Sequence, residues 1–291
     1  FNISMKKLVF TLATCCIMCA CEQKTETNPF FTEFRTEYGA PDFDKIKIEH
    51  YEPAFLKGIE EQNAEIKAIV ESRETPGFEN TIVALDNSGR TLARVKGVFY
   101  ALTEADTNDE MSALSEKIAP VLSEHNDNIY LNQDLYKRVA AVWQQEQEGK
   151  ITLTTEQHRL LDRYYKAFIR SGAGLDAGKQ NRLREINKEL STLAITFSNH
   201  VLNENNAYRL VIDNEAELAG LPEWVKTGAA EEAKAVGKEG KWLFTLQNSS
   251  RLPLLQYADN RELRKDIYEA YINRGNNGDA NDNKEILKKI I

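Results

Sequence analysis

The sequence predicts a mainly α fold: a multi-helix array with a small β element near residues 208–246. Three observations predict it. From Tyr51 onward, apolar residues recur every three to four positions in successive stretches of unequal length, the period of amphipathic helices. Asn, Ser, Gly and Pro punctuate those stretches where helices start and stop. Only Tyr208–Ile212 and Trp242–Leu246 switch to the two-residue alternation of a pleated strand. With 291 residues, 42% of them hydrophobic and 28% charged, the chain is long enough for one large or two ordinary domains.

The elements follow in order. Pro53 suits the first turn of a helix whose apolar face is Phe55, Ile59, Ile66 and Val70, ended by Pro76-Gly77. Asn80 is placed to cap a second, carrying Ile82, Leu85, Leu92, Val95, Phe99 and Leu102. Leu114, Ile118, Val121 and Leu122 mark a third, expected to break or shift near Pro120. Leu135, Val139, Val142 and Trp143 mark a fourth. Leu160, Leu161, Tyr164, Tyr165 and Phe168 mark a fifth, closed by Ser171-Gly172. The longest runs from about Asp176 to Asn206 on Leu183, Ile186, Leu190, Leu193, Phe197 and Val201. The aromatic residues sit at helical spacing and read as core. The first strand follows, then a helix from Pro222 through Val236, a turn at Gly237–Gly240 and the second strand.

Two helices close the chain. Asp259 and Glu262 have capping-box spacing ahead of Leu263, Ile267 and Tyr271, with Gly275 as the stop. Asp282 and Glu285 repeat that spacing ahead of Ile286, Leu287, Ile290 and Ile291. This last apolar stripe is still running at Ile291, so the natural protein is expected to continue. A short C-terminal helix that docks and frays is the alternative. The four residues before Met5 read as an untrimmed start.

The net charge is −8, with both signs interspersed and no basic stripe, so no nucleic-acid partner is expected. Residues 5–21 read as a targeting segment: Lys6 and Lys7, then an apolar run from Leu8 to Met18 too short to span a bilayer. All four cysteines lie there, so the mature domain is expected to form no disulfide. Met18-Cys19-Ala20-Cys21 is similar to a bacterial lipobox, which would make Cys21 the lipidated mature N-terminus; cleavage after Ala20 without lipid is the alternative. Residues 1–27 are thus an untrimmed start, signal peptide and tether. The protein is expected in the exported bacterial cell envelope, periplasmic or membrane-anchored through lipid alone.

Little chemistry is visible in the remainder. The histidines are His50, His125, His158 and His200, and no two have the i,i+4 spacing of a helical H-E-x-x-H zinc site. His200 and Glu204 are at that spacing but read as a surface pair. Gly172–Lys179 looks like a phosphate loop, yet Ala173 breaks the glycine spacing and Gln180 replaces the Ser or Thr that would hold magnesium; it reads as an interhelical turn. There is no G-x-S-x-G elbow, and no cysteine remains as a nucleophile.

Several separate motifs carry a resemblance. Phe78-Glu-Asn-Thr-Ile-Val-Ala-Leu85, Arg170-Ser-Gly-Ala173, the run Arg182–Ser191, Leu218-Ala-Gly-Leu-Pro222, Asn260-Arg-Glu-Leu-Arg264 and Ala270-Tyr-Ile-Asn-Arg-Gly275 resemble the thimet oligopeptidase family of zinc metallopeptidases, nearest its bacterial peptidyl-dipeptidase branch. The resemblance covers about Asn28 to Ile291. It implies a helical, two-lobed fold around a narrow channel that admits short peptides. It also implies a zinc ion on an H-E-x-x-H helix, polarising the scissile carbonyl and activating water, and release of C-terminal dipeptides. No H-E-x-x-H helix occurs here, so no metal ligand or catalytic residue is carried onto any position of this chain. Residues 28–257 then correspond to the N-terminal lobe and 258–291 to the truncated start of the catalytic domain. Zinc is expected in the full-length protein and none in this chain, which alone is expected to be inactive. Two other readings stay open: a non-catalytic helical binding lipoprotein of the envelope, and an oligopeptidase cleaving internal bonds.

Overall fold

The computed structural model describes residues 28–291; the targeting segment, Cys21 and the tether through residue 27 lie outside them. The described chain is mainly helical with one small sheet and falls into two compact units. The first comprises the described part of Phe1–Gln62 together with Gly89–Ala101; the second comprises Asn63–Ser88 and Leu102–Ile291. Helices α1 (Ile48–Glu71) and α2 (Arg90–Ala105) each contribute to both.

The first unit is built on aromatic packing. Phe30, Phe55 and Phe99 are fully buried and Tyr51 nearly so. Tyr51 stands 5.2 Å from Phe30 and 5.1 Å from Phe99, ring centre to centre, and Phe55 meets Phe99 edge-on at 5.3 Å. Asn28 fixes the entering chain: its Oδ1 accepts from Phe30 N and its Nδ2 donates to the His50 carbonyl. Arg94 Nη1 donates to the carbonyls of Phe30 and Thr32, both at 3.0 Å. A Cβ at Gly58 would stand 2.8 Å from Leu92 Cα, so glycine lets α1 and α2 approach closely.

Several sequence expectations are corrected. Pro53 is the sixth residue of α1, not part of its first turn, and α1 ends at Glu71, before Pro76-Gly77. The expected helix from Asn80 to Leu102 is split. Phe78–Val83 forms a π-turn continued by Ala84–Asp86, and α2 begins only at Arg90. The cause is local competition for carbonyls: Asn87 Nδ2 donates to Val83 O, Ser88 Oγ donates to Leu85 O, and Gly89 turns the chain at φ 72°. Asn80 is not the cap but reaches back, its Oδ1 accepting from Gly77 N at 2.8 Å.

In the second unit, α3 (Asp109–Tyr130) runs without a break through Pro120, contrary to expectation. Its start is fixed by Asn108, whose Oδ1 accepts from Met111 N, and the helix packs against α6 over most of its length. The proline therefore removes one hydrogen bond without ending the helix. The next helices are α4 (Gln133–Gln147), α5 (Thr155–Arg170) and α6 (Ala177–Ala207). Asn132 caps α4, and Thr154 with Gln157 forms a reciprocal capping box on α5. Ile82, Leu135, Val139, Val142, Leu161 and Phe168 form one core with the end of α1. Three bonds tie α6 to α3 in antiparallel register: Asn199 to Glu116, Asn187 to Asp127 and Arg184 to Asn128, each 2.8 Å.

Helix α6 differs from the expected core helix, since none of its residues is fully buried. Leu183, Leu190, Leu193, Phe197 and Val201 are half-buried and Ile186 is exposed. The physical reason is one-sided cover: α3 packs along it, with a shorter contact from α10.

Strands β1 (Leu210–Ile212) and β2 (Trp242–Phe244) pair antiparallel, Leu210 opposite Phe244 and Ile212 opposite Trp242. Helices α7 (Glu223–Ala235), α8 (Asn248–Tyr257) and α9 (Arg261–Ile272) pack a second core of Ile212, Leu218, Phe244, Leu254, Leu263 and Ile267. Neither expected capping box forms. Asn260 caps α9, its Oδ1 accepting from Glu262 N and Leu263 N, while Asp259 N donates to Ala219 O. Before α10 (Lys284–Ile290), Asp282 accepts from Lys284 N and Gly278 N, so it braces the preceding loop as well as the helix start.

Candidate functional site

The four histidines are distributed among separate partners. His50 Nδ1 accepts from Lys47 N at 3.0 Å, and His158 Nδ1 lies 2.6 Å from Glu146 Oε1. His125 is buried in α3. His200 Nδ1 lies 2.9 Å from Asn283 Oδ1, whereas Glu204 Oε2 accepts from Gly275 N and Asn277 Nδ2. His200 and Glu204 are thus not the surface pair that their spacing predicts. Each separately anchors the 275–283 loop to α6, and Asn283 completes the anchor by donating to the Phe197 carbonyl. Among the described residues no three His, Cys, Asp or Glu side chains group closely enough to hold a metal ion.

The Gly172–Lys179 segment is an interhelical turn between α5 and α6. Gly172 takes φ 92° where α5 stops, and Asp176 caps α6 by accepting from Lys179 N at 3.0 Å.

Above that turn, α3, the end of α5 and α6 enclose a polar cleft of about 550 Å³. Ser123, Asn126, Arg170, Asn187 and Ser191 supply its polar wall, and Leu183 and Leu190 its apolar one. At its floor lies Asp127, 5% exposed, whose Oδ1 accepts from Asn187 Nδ2 at 2.8 Å. No histidine or cysteine lines it, so the cleft offers hydrogen bonds and one buried carboxyl rather than a nucleophile with its base. The sequence reading did not single out Asp127. Its partners Arg184 and Asn187 lie in the Arg182–Ser191 motif, and they are about 60 positions away.

Burial pushes the Asp127 carboxyl up from the ordinary carboxylate value, and the Asn187 amide and Arg184 guanidinium oppose that rise. The folded chain therefore keeps a proton where the unfolded chain releases it. This contribution is complete below the unfolded value and is lost as pH rises through the folded one. Asp176 has the opposite sign. The Lys179 amide and ammonium hold its carboxyl down, so its contribution is present above the unfolded value and lost as pH falls through the folded one. Accordingly, Asp127→Asn should gain stability relative to the parent as pH rises through the carboxylate range, and Asp176→Asn should lose it. Urea unfolding at about pH 3 and about pH 7 checks this; parallel pH slopes for the two variants would contradict it.

Comparison with known proteins gives these features a setting. No family model matches the chain. It is 38% identical to the dipeptidyl carboxypeptidase of Escherichia coli (strain K12) over 267 residues, 92% of this chain and 39% of that protein. It is 32% identical to oligopeptidase A of Salmonella typhimurium over 269 residues, 91% of this chain and 38% of that protein. Saccharolysin of Saccharomyces cerevisiae is 25% identical over 203 residues, 69% of this chain. The chain thus spans about two fifths of the length of the curated relatives it matches over nearly all of its own length. Its class is a mainly helical segment shared among peptidases. The chain belongs to the thimet oligopeptidase family.

Proposed function

We propose that these residues are the N-terminal lobe of a longer zinc metallopeptidase that releases dipeptides from the C-termini of short peptides. The reading is carried by 38% identity to a dipeptidyl carboxypeptidase over 92% of the chain, against 32% to an oligopeptidase A over a similar span. Residues 28–257 form the lobe and 258–291 open the catalytic domain. The zinc ligands belong to residues outside these 291, and this chain by itself hydrolyses nothing. The targeting segment sends the protein to the bacterial envelope, with Cys21 carrying the lipid; mass spectrometry of the N-terminal peptide from the native host tests that, and a free thiol at Cys21 would refute it.

The test of function uses the full-length protein and N-terminally blocked peptides. The expected products are C-terminal dipeptides, with activity lost to a chelator and regained with zinc. Internal fragments alone would instead favour the oligopeptidase reading, which the similarity to oligopeptidase A keeps as second. Full activity after complete zinc removal would overturn the metal chemistry.

A further inference from the structure

A second cleft, of about 410 Å³, lies between α7, the end of α6, β2 and the start of α8. That volume is within the range of small-ligand sites. One wall is a single row on α7. Val225, Ala229 and Ala233 are buried and seat the helix, and Val225 and Ala229 belong to the second core. Trp224, Gly228 and Glu232 precede them by one position each, so they repeat every four residues along the cleft. The row spans about 12 Å at 1.5 Å per residue, the reach of about three to four extended residues.

Two members of the row are unusual for a helix surface. Trp224 is 61% exposed, a large indole left in solvent beside a cavity. Gly228 sits inside a helix, where glycine is less favourable than alanine. A Cβ there would meet nothing within 4 Å, so no neighbour demands glycine and open space lies before it. Glu232 makes no ion pair among the described residues. Facing the row is Arg209. Its Nη1 donates to the carbonyls of Asn206 and Tyr208 at 2.6 and 2.7 Å, which holds the guanidinium at the rim. Thr245, just past β2, and Ser250 of α8, joined by Thr245 N donating to Ser250 Oγ at 3.0 Å, supply the polar end.

We propose that this cleft binds a short extended peptide with a free amino terminus and an apolar side chain. The ammonium pairs with Glu232. The side chain fills the space before Gly228 against the Trp224 indole, and a carbonyl or carboxylate oxygen meets Arg209. Carboxylate at one end, guanidinium at the other side and an apolar gap between them complement a peptide better than a purely apolar or purely anionic ligand. The inference rests on the peptidase reading above for its ligand class.

The test titrates the 291-residue chain with the tetrapeptide Ala-Leu-Ala-Ala and with its N-acetylated form, read by calorimetry. Saturable binding of the free-amine peptide is expected. Trp224→Ala should weaken it by about tenfold or more, and Gly228→Leu should abolish it by filling the gap. Glu232→Gln should weaken the free-amine peptide to the level of the acetylated one and leave the acetylated one unchanged. Gly228→Ala, which suits a helix, serves with circular dichroism as the control that folding is intact. Absence of saturable binding, or equal binding by Gly228→Leu, would overturn the proposal. Dipeptide release by the full-length protein together with unaltered binding by Gly228→Leu would sink the cleft and leave the peptidase reading standing. The expected binding pattern in a protein that releases no dipeptides would do the reverse.

Discussion

Phe168→Ala is expected to cost about 3–5 kcal/mol of folding stability, the range for deleting a fully buried aromatic side chain. Phe168 is 0% exposed at the centre of the first core of the second unit. Its ring lies 5.1 Å from Tyr130 and 6.1 Å from Tyr136, so truncation removes two aromatic contacts as well as buried area. The site cannot easily collapse, because Tyr136 is already stacked on Tyr165, and Tyr165 on Trp143 at 4.4 Å. Denaturant unfolding followed by near-ultraviolet circular dichroism measures the loss. A loss below about 1 kcal/mol would show that the cavity closes and that the aromatic stack is not rigid.

Arg138→Ala is expected to cost about 2–4 kcal/mol, for a different reason. Arg138 is 8% exposed and points from α4 into the turn between α1 and the π-turn. Its Nη1 donates to the carbonyls of Ser72 and Glu74 at 3.1 and 3.3 Å, and Nη2 donates to Asn80 Oδ1 at 3.4 Å. Removing it takes the donors from these carbonyls, whereas the packing of the apolar core nearby is untouched. Arg138→Lys should recover only part of the loss, since one ammonium cannot reproduce the planar fork. Equal stability of the lysine variant and the parent would show that the charge alone matters. Hydrogen exchange across residues 72–80 separates this effect from a core defect, because the alanine variant should open that turn first.

Helices with a polar cap directly before an apolar stripe were the most legible part of the sequence. α6 begins after Asp176 and ends at Ala207, within one residue of its predicted limits, because the signals that set it lie within one turn of its ends. Misreadings arose where two local rules competed. Asp259 and Asn260 are both good caps, and the backbone N–H of Asp259 is already committed to Ala219, which leaves the cap to Asn260. Pro120 carries a helix-breaking signal that tertiary packing outweighs. What spacing cannot show is partnership across the chain. His200 and Glu204 look like a pair at i,i+4, yet their partners are 83 and 71 positions away. The Asp127 cleft and the Trp224 cleft were illegible for the same cause: each draws its walls from several elements that meet only when the chain has folded.

The antiparallel alignment of α3 with α6 has a kinetic consequence. The ties from Asn199 to Glu116 and from Arg184 to Asn128 close loops of 83 and 56 positions, with α4 and α5 inside them. Closing a longer loop costs roughly 0.6 kcal/mol more for each doubling of its length, and that cost falls before the long-range contacts can offset it. If α4 and α5 pair first, through contacts near in sequence, they shorten the effective gap and bring α6 back along α3. In a refolding time course the Trp143–Tyr165 stack would then report an early phase, and protection of α6 amides a later one. A nascent chain emerging from a ribosome would hold α3 with its α6-facing side uncovered until some seventy further residues had been made.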